Sequence, residues 1–427
     1  MQPMLPADLP DANPAPAPAA APRSLWRSRD FLLLWSGQTV STFGTSISQL
    51  ALPLLVLALT HSPAQAGLVT AADLLPYLLL ALPAGALVDR WDRKKLMIRS
   101  DTVRWLALGS VPLAFALGHL TVAQLYIVAL ASGTANVFFS LAQISALPQV
   151  VAPEQLPRAW ALNETSDSAA RLFGPGLAGF IIGLARTTAA GAALAYLADS
   201  VSYLASVISL RFVRVPFQGR RAQLADGQRR SLWAEMAEGV RFLWRHRRLR
   251  LLALLTMVVN FLQAPVTLAV ILLAQGALHL DVQVLGLVFG ASGAGGLLGA
   301  LIAPRLSQRL RFGQIAVGSV AVWAAATVLL AVSQSPWPLI LGLGLMNIVW
   351  PVYAVVVVTY RLSLAPDELQ GRINSSFRML TFGAEPLGVT VGGLLLVPLG
   401  PRAVLGLLAA GLALAALAVG ASELRKM

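Results

Sequence analysis

The sequence has no cysteine, and only 12% of its 427 residues are charged. Without cysteine there can be no disulfide, no thiol nucleophile and no cysteine-ligated metal site. Charge is too scarce to cover an ordinary soluble domain, because hydrophobic residues make up 57% of the chain and the mean hydropathy is +0.71. The composition therefore indicates a protein embedded in a lipid bilayer.

Long polar stretches are also scarce. Apolar segments of about twenty residues follow one another, and that length crosses a bilayer core of about 30 Å. We predict about twelve transmembrane helices, near residues 31–58, 66–88, 96–117, 121–147, 162–185, 189–210, 250–276, 283–304, 313–333, 337–362, 374–398 and 402–421. The predicted fold class is an all-α membrane protein.

The basic residues give this map an orientation. Of the 32 lysines and arginines, only Arg186 and Arg402 fall on the predicted outer side, so we expect both termini of a multi-pass inner-membrane protein to be cytoplasmic. The same distribution excludes nucleic acid as the reason for the net charge of +13, since the bases lie between apolar segments. Residues 1–28 are rich in proline and alanine and predict a disordered cytoplasmic tail.

Two short motifs recur in the chain. Gly85-Ala86-Leu87-Val88 returns as Gly299-Ala300-Leu301-Ile302, and the segment 151–156 returns in similar form at 364–369. Such repeats predict two pseudo-symmetric six-helix bundles, residues 29–211 and 250–427, with the substrate site between them near the bilayer midplane. The cytoplasmic linker, residues 212–249, is expected to contain an amphipathic helix that starts at Ser231. We expect the chain to act as a monomer.

A charge-dense turn separates the second and third predicted helices. An acid at a helix end followed by bases can bond to neighbouring helix ends when that face is closed and release them when it opens. The alternative is a plain positive-inside turn, which explains the bases but not the glycine and the acid. The candidate gating residues are Gly85, Asp89, Arg90, Arg93 and Lys94.

This turn resembles the loop between the second and third helices of the major facilitator superfamily, with the pattern G-x-L-a-D-R-x-G-R-[RK], although Asp92 stands where that family usually has glycine. The resemblance implies a cytoplasmic loop that gates alternating access. The segments 31–38, 82–85 and 238–243 are similar to the drug-exporting branch that includes macrolide efflux proteins and the enterobactin exporter.

The fifth helix carries the segment 174–179, which resembles the G-P-x-x-G-G antiporter motif with Ala178 in place of one glycine. Gly174, Pro175 and Gly179 are its matching residues, and the resemblance favours export over import. The alternative is ordinary close helix packing, which small residues also provide.

Polar side chains form stripes on three otherwise apolar helices. By resemblance to the superfamily, the first, fourth, seventh and tenth helices line a central cavity. The residues expected to face it are Gln38, Thr42, Thr45, Gln49, Asn136, Ser140, Gln143, Asn260, Gln263, Asn347, Tyr353 and Arg378. The alternative is hydrogen bonding between helices, worth roughly 0.6 kcal/mol each. A lining of amides and hydroxyls suits amphipathic molecules better than sugars or strongly anionic metabolites.

Three acids lie well inside apolar segments: Asp73, Asp199 and Glu385. An ionised carboxylate there costs about 3 kcal/mol or more unless it is paired, so these groups are candidates to exchange protons between the two sides of the membrane. The alternative is a structural ion pair, and Arg378 could partner Glu385.

The sequence therefore predicts a secondary transporter that exports amphipathic small molecules or drugs in exchange for protons, with membrane lipid as its surroundings. The alternatives are a dedicated carrier of one metabolite, such as a siderophore or a lysophospholipid, and a non-transporting membrane receptor. We expect no enzyme, no metal site and no cofactor, because no metal-ligand cluster, phosphate-binding loop or catalytic pair is present. Energy would then come from an ion gradient.

Overall fold

A computed structural model describes residues 25–217, 240–364 and 370–422, and in these ranges the chain is helical without strands. A 3-10 turn, Leu25–Arg27, precedes the first helix. The first half then forms α1 Arg29–Thr60, α2 Pro63–Arg90, α3 Arg93–Ala116, α4 Val122–Val150, α5 Leu156–Gly183 and α6 Thr188–Phe212.

The second half begins with an interrupted helix. We call Arg247–Ala277 α7; it consists of Arg247–Gln263, Val266–Leu272 and one π turn, Leu273–Ala277. The remaining helices are α8 Val282–Arg309, α9 Phe312–Ala331, α10 Pro336–Leu364, α11 Gln370–Phe382 and α12 Ala384–Ala421.

The last helix crosses the membrane region twice. Gly400, inside α12, has a φ of 73°, a conformation that glycine adopts at little cost, and the chain reverses direction there. We call residues 384–399 the first leg of α12, which continues α11, and residues 401–421 its second leg. The sequence had predicted these two legs as separate helices.

Nine helical stretches among the described residues are long and apolar enough to cross a membrane. One of them, Ser376–Ala421, contains both legs of α12, while α3 and α5 fall short because charged side chains lie well inside them. With these helices included, the structure is consistent with the predicted twelve crossings.

Side-chain caps fix where several helices begin. Ser28, Ser62, Thr121 and Thr187 accept hydrogen bonds from backbone N–H groups in the first turns of α1, α2, α4 and α6. Asp92 does the same for α3, where its carboxylate accepts from Lys95 N at 3.1 Å. This cap gives a physical reason for an acid at the position where the resembling family has glycine.

The helices pack as two groups. The amino-terminal bundle consists of α1 to α6, and the carboxyl-terminal bundle consists of α7 to α12. We call the end of the molecule that carries the turn at Trp91 and Asp92 the inner end, and the opposite end the outer end. The two bundles contact each other mainly through α5 with α8, and α2 with the first leg of α12.

These contacts are tight towards the outer end. A Cβ added at Gly179 of α5 would lie 2.6 Å from the Cα of Gly286 of α8, and one added at Gly67 would lie 3.0 Å from the Cα of Gly393. Glycine is therefore what allows the backbones to approach. At the inner end, α4 and α10 make no extensive contact with the opposite bundle among the described residues.

Two predicted segments lie largely outside the described residues. Of the predicted disordered tail, residues 1–24 are outside; residues 25–27 form an ordered turn in which the Leu25 side chain is 1% exposed, so the bundle begins earlier than expected. Of the predicted amphipathic linker helix, residues 231–239 are outside, and residues 240–245 are helical.

Candidate transport cavity

A cavity of about 710 Å³ lies between the two bundles. It is lined by side chains of α1 to α6 and, from the carboxyl-terminal bundle, by Arg378, Phe382 and Glu385. The bundles meet closely at the outer end, which closes the cavity there, whereas among the described residues α4 and α10 make no extensive contact with the opposite bundle at the inner end. Arg171 and Arg378 on its wall are exposed.

The stripes predicted on α1 and α4 all line this cavity. Their members are Gln38, Thr42, Thr45, Gln49, Asn136, Ser140 and Gln143. Gln143 Nε2 donates to Gln38 Oε1 at 2.7 Å, which joins the two helices across the wall. Gln38 Nε2 is buried without a hydrogen-bond partner among the described residues, so this wall retains a free amide donor.

The stripe predicted on α7, and the residues of α10 that the resemblance implied, lie elsewhere. Asn260 Nδ2 donates to Thr381 O at 3.0 Å, and the Tyr353 hydroxyl is 2.8 Å from that of Thr256. Asn347 Nδ2 donates to Leu343 O at 2.9 Å. None of these side chains, nor that of Gln263, is among the cavity-lining residues that the structure describes. Here hydrogen bonding within the bundle, the alternative considered above, is what the geometry supports.

The three acids predicted inside apolar segments line the same cavity: Asp73 on α2, Asp199 on α6 and Glu385 at the start of α12. Asp199 is 1% exposed and accepts hydrogen bonds from the Ser48 and Ser202 hydroxyls. The Asp199 side chain nevertheless reaches the cavity wall.

A fourth acid and an arginine complete a polar cluster inside the amino-terminal bundle. Asp101 of α3 is fully buried, and its Oδ2 accepts from Ser206 Oγ at 2.6 Å. Arg104, one turn later, lines the cavity, is 6% exposed and lies with its Cζ 4.0 Å from the Tyr203 ring centroid. Its charge acts on Asp73, Asp101 and Asp199 together.

This cluster was not predicted from the sequence. Arg104 is eleven positions into α3 and therefore about 16 Å from its start, near the bilayer centre. The i,i+3 spacing of Asp101 and Arg104 could have indicated a buried pair.

Glu385 has a different environment. No hydrogen bond or ion pair to it occurs among the residues that the structure describes. Arg378, which was expected as a possible partner, instead places its Cζ 5.9 Å from the Tyr77 ring centroid and 5.7 Å from that of Phe382. The two rings belong to opposite bundles and meet edge to face, with centroids 6.3 Å apart.

The residues of the predicted gate lie at the inner end. Lys94 Nζ donates to Val213 O at 2.6 Å, and Arg93 Nη1 donates to Ser145 O and Phe217 O, both at 3.4 Å. Gly85 and Arg90 belong to the last turns of α2. The side chain of Asp89 lies outside the described part of the chain, so its gating role stays a prediction.

The antiporter-like segment lies at the contact between bundles. Gly174 faces Ser46 of α1, and Gly179 meets Gly286 of α8 as described above. Pro175 lies inside α5 without ending the helix. The segment therefore packs α5 against two neighbours at once, one in each bundle.

Two six-helix bundles around a cavity that is closed at one end define a membrane transporter of the major facilitator fold. The solved structure of the nucleoside transporter NupG matches 92% of this chain and 98% of its own with a TM-score of 0.73 at 15% identity. The chain belongs to the transmembrane secretion effector family of that superfamily, whose sequence model matches residues 20–427. Both the superfamily and the all-α fold predicted from the sequence are thereby confirmed.

Named relatives are exporters. The multidrug efflux pump Tap of Mycolicibacterium fortuitum is 28% identical over 376 residues, which cover 85% of this chain and 88% of the relative. Macrolide efflux protein A of Streptococcus pyogenes is 26% identical over 241 residues, 56% of this chain and 57% of the relative.

Proposed function

We propose that this protein is a secondary active exporter of amphipathic small molecules that exchanges its substrate for protons by alternating access. The observation that carries the proposal is that Asp73, Asp199 and Glu385 line one cavity between the bundles. Carboxyl groups at such a position can bind a proton while the cavity faces one side and release it when the cavity faces the other. The relatives named multidrug and macrolide efflux pumps support export.

The closed outer end represents one state of an alternating-access cycle. For export, substrate enters from the inner end, and the glycine contacts of α5 with α8 and α2 with α12 separate before it leaves. The inner end carries most of the bases, which supports an inner-membrane orientation with cytoplasmic termini. The cavity is formed by one chain, which supports a monomer as the transporting unit.

The polar wall supports amphipathic substrates. Amides and hydroxyls of α1 and α4 face a wall that also includes Leu52, Leu74 and Phe382. A molecule with both apolar and hydrogen-bonding surface can satisfy both kinds of side chain.

The test is transport by purified protein in proteoliposomes with a trapped pH-sensitive dye and an imposed pH gradient. We expect several chemically unrelated amphipathic compounds to move protons across the membrane, and an uncoupler to abolish their gradient-driven transport. A dedicated carrier would respond to one chemotype. A receptor would move nothing, and that result would overturn the proposal.

A further inference from the structure

The second bundle contributes three neighbouring side chains to the cavity: Arg378, Phe382 and Glu385. Together with Tyr77 of α2 they form what we call the aromatic subsite. It combines two aromatic rings from opposite bundles with a carboxyl group that has no partner among the described residues. We propose that the aromatic subsite binds an organic cation that carries aromatic or other apolar groups; this rests on the proposed function and names its substrate class.

The rings already hold a cation. The Arg378 guanidinium lies within 6 Å of both ring centroids, the distance over which a ring quadrupole attracts positive charge. Arg378 is exposed, so its side chain can leave the rings for solvent when another cation takes its place. The arginine therefore occupies the subsite in the absence of substrate.

Glu385 supplies the counter-charge. Asp73 and Asp199 lie within the electrostatic reach of Arg104, whereas Glu385 forms no ion pair or hydrogen bond among the described residues. A carboxylate in a partly apolar cavity gains most from a cation that arrives with the substrate, because that cation relieves an otherwise unpaired charge. Asp73 and Asp199 thus have a counter-charge within the protein, whereas Glu385 gains its counter-charge from a bound ligand.

The subsite also links binding to movement. Tyr77 belongs to the amino-terminal bundle and Phe382 to the other, so a bound cation contacts both bodies at once. Movement of one bundle against the other therefore changes the spacing of the two rings, and with it the hold on the cation.

The test is equilibrium binding of two probes of nearly the same shape and opposite charge, tetraphenylphosphonium and tetraphenylborate. It uses the full chain in detergent at fixed pH with no gradient. We expect the phosphonium to bind at least about tenfold more tightly, corresponding to 1.4 kcal/mol. Equal affinities, or preference for the borate, would overturn the proposal.

Substitutions in the aromatic subsite test whether the cation binds there. Glu385→Gln should weaken phosphonium binding by about tenfold or more, whereas Asp167→Asn, which removes an acid from the same cavity beside Arg171, should change it less. Tyr77→Leu and Phe382→Leu should each weaken it by roughly threefold to tenfold. Phe180→Leu, at an exposed position outside the cavity, serves as the matched aromatic control.

The decisive variant is Arg378→Gln. It removes the side chain that competes for the rings, so phosphonium binding should become several-fold tighter, and more so than in Arg171→Gln, which removes an equal charge from the same cavity. Weaker binding in Arg378→Gln, or the same gain in both variants, would contradict the subsite.

These measurements need no proton gradient, so their failure leaves proton-driven export of uncharged amphipathic compounds intact. Conversely, a charge-selective subsite without proton-driven transport would overturn the proposed function alone.

Discussion

The two bundles carry similar short motifs, yet they use polar side chains differently. In the amino-terminal bundle the amides and hydroxyls of α1 and α4 face the cavity. At the corresponding level of the carboxyl-terminal bundle, Asn260, Tyr353 and Asn347 bond to neighbours in their own bundle. The amino-terminal bundle therefore supplies most of the polar wall of the cavity, and the carboxyl-terminal bundle contributes one face of it.

The acids in and beside the cavity repeat this contrast. Asp73, Asp101 and Asp199, with Arg104, belong to the amino-terminal bundle. Among the described residues, the other bundle places one acid, Glu385, on the cavity wall, together with Arg378. The two bundles thus share the number of helices but differ in their polar residues, since small interhelical hydrogen bonds are cheap to gain or lose.

The largest expected effect concerns the acids of the amino-terminal bundle. Asp73→Asn should reduce proton-driven transport in proteoliposomes to the level of protein-free vesicles, because amide cannot exchange a proton. Asp281→Asn, at an exposed position of the outer end, is the matched control and should transport normally. Full activity of Asp73→Asn would remove it from the coupling pathway.

The next effect concerns the arginine that these acids share. Arg104→Leu should lower the free energy of unfolding by about 3 kcal/mol, since it leaves buried carboxyl groups without a counter-charge. Thermal unfolding in detergent would measure the loss, with the exposed Arg186→Leu as the control. If Arg104→Leu unfolds at the same temperature as the unmodified protein, the charge of Arg104 does not stabilise the amino-terminal bundle.

A third effect concerns the contact between the bundles. Gly179→Val should hold the outer end open, because its side chain cannot fit against Gly286. The chain has no native cysteine, so Gln49→Cys on the cavity wall can report this opening through its rate of reaction with a membrane-impermeant thiol reagent added from outside. We expect a several-fold faster reaction.

Gly406→Val provides the control for that experiment, since a Cβ there meets no other atom within 4 Å. An unchanged labelling rate in Gly179→Val would mean that the contact between Gly179 and Gly286 does not determine whether the outer end is closed.

The smallest effect tests the carboxyl-terminal bundle directly. Tyr353→Phe removes the hydroxyl that bonds to Thr256 and should cost roughly 0.6 kcal/mol of stability without changing transport. A change in substrate preference, measured with the same set of compounds, would mean that Tyr353 reaches the substrate after all and that the two bundles are more alike in use than their contacts indicate.

The helix pattern could be read from the sequence because a bilayer demands long apolar segments and confines charge to their ends. Most helix boundaries are within a few residues of prediction. The break in α7 at Ala264 and Pro265 was not expected, because hydropathy alone does not register a local change of backbone path, although Pro265 lies inside the predicted helix.

The site was only partly predictable for a related reason. A polar stripe shows that one face of a helix is more polar than the others, but it does not show whether that face lines a cavity or packs against another helix. For Gln38 and Asn136 the partner is the cavity, and for Asn260 it is the backbone of Thr381. That distinction depends on the tilt and rotation of each helix, which neighbouring helices determine.

Residues 213–217, which follow α6 and lead out of the amino-terminal bundle, are held by several hydrogen bonds. Asp30 accepts hydrogen bonds from the backbone N–H groups of Arg214 and Val215, while Lys94 and Arg93 hold Val213 and Phe217. Any tension that the second bundle exerts along this connection therefore falls on the start of α1 and on the basic turn, rather than unwinding α6. The connection between the bundles is therefore anchored at the same basic turn that resembles the motif of the superfamily.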